Sequence, residues 1–228
     1  MSKYLHLSFA RSLLSMLLLS TPLHAASLQA ELRDSQGQPL ANAVLSLRST
    51  ASAPMAPATA IMDQRSQQFA PNVLAVRSGT SVMFPNSDNI RHHVYSFSPA
   101  KRFELRLYQG TPSEPVTFDT PGVVVLGCNI HDWMLGYVYV TDDPWFAVSD
   151  EHGRLSLEQL PAGAYTASLW HPQAPDMLPQ AAGELQLAKG GNQQRFTLAM
   201  QAPEVQAAPS APASAFGDAF KQARDAAQ

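Results

Sequence analysis

The chain has 228 residues, with 15 Lys and Arg against 18 Asp and Glu, and a single cysteine. That length supplies one or two compact domains, each able to bury its own core. A mildly acidic balance with no basic cluster argues against nucleic acid or an anionic membrane as the partner.

Residues 1–25 read as a secretory signal peptide, because Lys3 and Arg11 precede or border the apolar run Leu13-Leu14-Ser15-Met16-Leu17-Leu18-Leu19 and a small-residue cleavage site follows near Ala25 or Ala26. The run is too short to span a bilayer and no other stretch approaches the required length, so no transmembrane segment is expected. Losing two basic residues takes the net charge from -3 to -5. The mature protein is expected in the periplasm or outside the cell, where cysteines usually pair, yet Cys128 has no partner in the chain. It lies too far from the cleavage site to carry a lipid. The leader has no twin-arginine pair, which predicts export of an unfolded chain that acquires any metal afterwards.

From residue 28 to 198, proline, glycine and alternating apolar residues punctuate the sequence, and no amphipathic helix stands out. The fold class is therefore all-β. Strands are predicted over 28–33, 43–48, 73–77, 81–85, 93–97, 103–107, 116–118, 123–128, 136–141, 154–157, 165–170 and 194–199. Residues 49–59 read as a flexible linker by composition. Residues 201–228 form an Ala/Pro-rich tail whose end, with Phe216 and Phe220, has the makings of a short helix; composition favours disorder.

The flanking strands share a distinctive grammar. Residues 28–47 give a strand, an Asp34-Ser35-Gln36-Gly37 turn and a second alternating strand, and 148–157 repeat that logic around Asp150-Glu151-His152-Gly153 before Leu160-Pro161-Ala162-Gly163-Ala164-Tyr165. Together they resemble the two halves of a carboxypeptidase regulatory-like, prealbumin-type β-sandwich. In that family the halves follow one another closely, whereas here about a hundred residues separate them. The expected organisation is a sandwich made of 27–50 plus 142–200, with a second sandwich at 60–141 inserted into it or packed beside it.

The chemistry concentrates in Gly127-Cys128-Asn129-Ile130-His131-Asp132-Trp133-Met134, read as a loop between two strands. A thiolate, an imidazole and a thioether recur there at every third position, and a blue-copper site needs one Cys and two His in a plane with a weak axial Met. The remaining histidine is expected from another strand, and Arg91-His92-His93-Val94 offers two candidates of which strand alternation lets one face the metal. Of the other residues nearby, Asp132 reads as solvated or loop-ordering, and Trp133 as either packing or an apolar docking surface beside His131. His152 and His171 read as structural, since neither has ligand spacing to the cluster.

These residues resemble the plastocyanin and amicyanin branch of the cupredoxins, Greek-key β-sandwiches whose ligand loop can have the same Cys-x2-His-x2-Met spacing. The resemblance covers roughly 60–141 and implies one mononuclear type 1 copper site with His92, Cys128, His131 and Met134 as ligands. The family commonly has Pro-His-Asn-Val at the first histidine; here His92 falls on the ligand and His93 on the asparagine. The whole chain resembles exported cupredoxin-domain proteins labelled methylamine-utilisation proteins.

Soft ligands favour copper over calcium or magnesium, and a thioether is a poor zinc ligand. One cysteine does not make a binuclear purple-copper site, and five histidines after the leader are too few for a multicopper oxidase. A site closed by four protein ligands favours electron transfer over catalysis, so the chain is read as a non-enzymatic one-electron carrier with a transient redox protein partner. Two alternatives use other logic. One is a copper-binding or copper-delivery protein with the same ligands and easy metal exchange; the other is a metal-free adhesion or carbohydrate-binding sandwich.

Overall fold

The computed structural model describes residues 25–51 and 58–200. The leader, most of the linker and the C-terminal tail lie outside the described residues. Everything described is β-structure apart from turns, loops and one 3-10 turn at Pro175–Met177. No helix among the described residues is long and apolar enough to cross a membrane.

Strands from the two ends of the chain share one core. Strand β1 (Ala26–Asp34) pairs antiparallel with β14 (Arg154–Leu160) and parallel with β17 (Gly190–Leu198). Facing them is the sheet β13 (Trp145–Val148), β2 (Val44–Arg48), β15 (Gly163–Trp170) and β16 (Gln180–Leu187). In β1 every second residue, Ala26, Leu28, Ala30 and Leu32, turns inward, the period-2 rule of a half-buried strand. These meet Leu45, Leu47, Leu160, Tyr165, Leu169 and Phe196. Both Asp-x-x-Gly turns have the same construction: Asp34 accepts the backbone N–H of Gln36 and Gln38, and Asp150 accepts those of His152 and Arg154. Gly153 is obligatory in the second, since its φ is +72° and a Cβ there would lie 2.5 Å from the Leu32 carbonyl oxygen.

The middle of the chain builds a separate core. A five-stranded sheet runs β6 (Val73–Arg77), β12 (His131–Thr141), β11 (Gly122–Cys128), β8 (His92–Ser96) and β9 (Phe103–Tyr108). Against it lies β10 (Val116–Phe118), β7 (Thr80–Met83) and β3 (Thr59–Ile61), and the small hairpin of β4 (Asp63–Arg65) and β5 (Gln68–Ala70) stands beside them. Phe69, Phe84, Phe118, Val94, Val124, Leu126 and Val138 fill the interior, and Cys128 and Met134 belong to the same cluster.

A third, smaller cluster joins the two. Trp170 is fully buried, with its ring 5.4 Å from Tyr139 and 5.9 Å from Tyr137, and Val44 and Val73 complete the contact. Asp143 fastens the covalent junction by accepting hydrogen bonds from Ser46 Oγ and Arg48 Nε, each at 2.7 Å.

The predicted strands all occur, several extended by one to five residues and four trimmed by one or two at an end. Five strands had no counterpart in the sequence reading: β3, β4, β5, β13 and β16. The first three have three residues each, too short to show a period, and β16 carries Ala-Ala-Gly where an apolar alternation would be read.

Candidate metal centre

The segment from Cys128 to Met134 is a hairpin and not the expected loop. Cys128, the last residue of β11, pairs with His131, the first of β12, across the two-residue turn Asn129-Ile130. The next pair back is Gly127 with Leu135, so Asp132, Trp133 and Met134 stand out of the ladder as a bulge. Cross-strand pairing brings such Cβ atoms to about 5 Å, which lets two side chains address one point. The bulge then divides its residues: Asp132 and Trp133 face solvent, while Met134 is 1% exposed and joins Cys128 in the core.

The third side chain comes from β8, the neighbour of β11. His92 is completely buried, and its Nδ1 lies 3.2 Å from His131 Nδ1 and 4.0 Å from Cys128 Sγ. Cys128 Sγ is 3.7 Å from His131 Nδ1. A point equidistant from the corners of a triangle with these sides lies about 2.1 Å from each, close to the length of metal–imidazole bonds and slightly under that of metal–thiolate bonds. Among the described residues this is the one grouping of three or more His, Cys, Asp or Glu side chains with that convergence. The donor set, two imidazole nitrogens and one sulfur, fits a borderline or soft metal ion.

Of the two adjacent histidines, the structure brings His92 and not His93 to Cys128. The β8–β9 ladder shifts register between His92 and Val94. His93 lies tilted against Tyr95 on the opposite face, ring centroids 5.7 Å apart, with its Nε2 3.0 Å from Glu104 Oε1 but out of hydrogen-bond alignment. Among the described residues neither buried His93 ring nitrogen has a hydrogen-bond partner.

The two triad histidines are held differently. His92 Nε2 is 2.8 Å from Asp88 Oδ2. His131 is half-buried between aromatic rings, with centroids 4.9 Å from His92 and 5.4 Å from Trp133. Trp133 is 67% exposed, and Ile130 in the adjoining turn and Ile90 just before β8 are also exposed at the same end of the sheet, giving an apolar rim. Asp88 was not singled out by the sequence, where it is one residue of a polar turn. Burial pushes its carboxyl upward, but hydrogen bonds from the Gln67 N–H, His92 and the Ser66 N–H outweigh this and hold it below the usual carboxylate range. His152 is exposed on its turn, and His171 donates from Nε2 to the Ala41 carbonyl and accepts the Gln173 N–H at Nδ1.

No protein-family model and no curated protein matches the chain. Solved structures do. A purple cupredoxin from Nitrosopumilus maritimus aligns at 23% identity over 37% of this chain and 99% of its own, with a TM-score of 0.32. A reduced amicyanin variant aligns at 19% over 42% and 99%, with a TM-score of 0.33. A copper-containing nitrite reductase from Thermus scotoductus aligns at 25% over 49% of this chain and 28% of its own, with a TM-score of 0.34. Each alignment spans less than half of this chain at a low score, so the reading of the site rests on its own geometry.

Proposed function

We propose that this chain is an exported type 1 copper protein that carries single electrons. The observation behind this reading is the converging triangle of His92 Nδ1, Cys128 Sγ and His131 Nδ1, two of whose corners are fully buried. These three would hold the ion, and Met134, buried in the same cluster as Cys128, would be a further, weak donor. Copper bound there supplies a Cu(II)/Cu(I) couple.

The chain's own residues do the rest. Two sheets and the paired hairpin fix the donors before the ion arrives, so little has to move between oxidation states. The apolar packing of Leu126, Val94 and Phe84 keeps water from the sulfur side. Of the triad only His131 is not fully buried, and its ring lies beside the exposed Trp133. A transient redox partner would therefore meet the molecule at this apolar rim. With four protein donors no coordination position is left for a substrate, which supports a carrier over an enzyme. The leader supports a periplasmic or secreted location, and the terminal strands support a carboxypeptidase regulatory-like sandwich as the accessory unit.

The test is the visible spectrum of copper-loaded protein. An intense thiolate-to-Cu(II) absorption is expected, with reversible redox cycling and retention of the metal. A colourless protein that binds zinc and not copper would overturn the proposal, and loss of copper on each redox cycle would favour delivery.

A further inference from the structure

The turn between β4 and β5 points two backbone N–H groups away from its own hairpin. Ser66 and Gln67 have φ of 52° and 58°, the paired left-handed conformations of a type I′ turn. The Ser66 N–H donates to Asp88 Oδ1 at 2.7 Å and the Gln67 N–H to Asp88 Oδ2 at 2.9 Å. The hairpin is latched to the same loop again, since Ser87 Oγ donates to Asp63 Oδ2 and the Ser87 N–H to the Gln64 carbonyl. Asp88 is thus gripped from one side by a hairpin and faces His92 Nε2 on the other.

We propose that Asp88 is a positioning residue for the metal centre, set by the β4–β5 turn, which keeps the His92 proton on Nε2 and leaves the Nδ1 lone pair aimed at Cys128 and His131. An ionised carboxylate only accepts hydrogen bonds, so the His92 nitrogen facing it must be the donor, and the other nitrogen of a neutral imidazole is then the ligand. The same contact fixes the ring plane. Among the described residues no carboxylate bonds His131, so the site has one imidazole fixed through the fold and one held by aromatic packing. This inference rests on the metal-site reading above.

Asp88→Ala and Asp88→Asn test it. In Asp88→Asn one oxygen becomes an amide donor, which faces either the Ser66 N–H or the Gln67 N–H and His92, so one of the three hydrogen bonds at least is lost. Two readouts are needed. The first is the ¹⁵N resonance pattern of the His92 ring in metal-free protein, expected to show an Nε2–H tautomer in the wild type and a mixture in Asp88→Ala. The second is affinity for Zn(II) and Cu(II), expected to weaken about 10- to 100-fold in Asp88→Ala and less in Asp88→Asn. If Asp88→Ala does not fold, Asp88→Asn carries both readouts. An unchanged tautomer together with affinities within about twofold of wild type would overturn the proposal, whatever the colour of the copper form. A wild type that binds zinc through an Asp88-dependent His92 yet never turns blue would overturn the electron-carrier reading and leave this one standing.

Discussion

The two sandwiches use the same alternating period and differ in what they do with their polar side chains. In the outer one, His171 and His152 do not converge: the first bridges Ala41 and Gln173, and the second sits exposed on the Asp150 turn. In the inner one, His92 and His131 turn toward a single thiol. Regular ladders place same-face neighbours along a strand about 7 Å apart, so three donors in a row on one strand do not meet at one point. The inner sandwich gets round this at two irregularities, the register shifts at Gly127/Cys128 and at His92/Val94. A chemical centre thus arises where strand pairing is interrupted, and the uninterrupted remainder of the sheet holds it still.

Substitutions can break this division of labour. The largest effect is expected from Cys128→Ser, which should abolish the visible band of the copper form altogether while leaving the outer sandwich folded, as read by absorption and by tryptophan fluorescence. Trp170→Ala empties the contact between the two cores and should cost about 3–5 kcal/mol in denaturant unfolding. Since Trp170 touches no donor, the copper spectrum of the folded fraction should not change. Gly136→Ala places a Cβ 2.7 Å from Phe69 Cβ, inside the inner core beneath the bulge, and should destabilise by about 1–3 kcal/mol. A shift in the copper band as well would mean that the bulge is held in place by the core and not by its own turn.

The smallest effect tests the outer sandwich. Burial lowers the His171 pKa below 6.5, partly offset by its hydrogen bond to the Ala41 carbonyl. Because the unfolded chain takes up this proton first, the stability contributed by neutral His171 is complete above pH 6.5 and erodes as the pH falls below it. Melting temperature should decline from neutral to mildly acidic pH, and His171→Gln should flatten that decline. A slope unchanged by the substitution would assign the effect to another group.

Much of this was legible in the residues. The period of β1, β11 and β15 and the paired Asp-x-x-Gly turns are local signals, and the regularity of Cys128, His131 and Met134 survives because all three lie on one hairpin. The choice of His92 over His93 was open, since adjacent positions on a strand differ only in the face they take and the deciding register comes from β9. Asp88 was hidden for a different reason. Its importance depends on Ser66 and Gln67, which lie about twenty residues away in a hairpin too short to announce itself. Contacts made across separate turns carry no periodicity for a sequence to display.

The parallel pairing of β1 with β17 sets an order of events. β1 needs β14 and β17 on its two flanks, so the first strand of the described chain waits unpaired until nearly the last has been made. Every strand of the inner sandwich has its partners between Thr59 and Thr141. As the chain emerges from its N-terminus, the unit bearing the thiol can close first, and the outer sandwich assembles around it afterwards. The most reactive side chain of the molecule is thereby enclosed before its scaffold is finished.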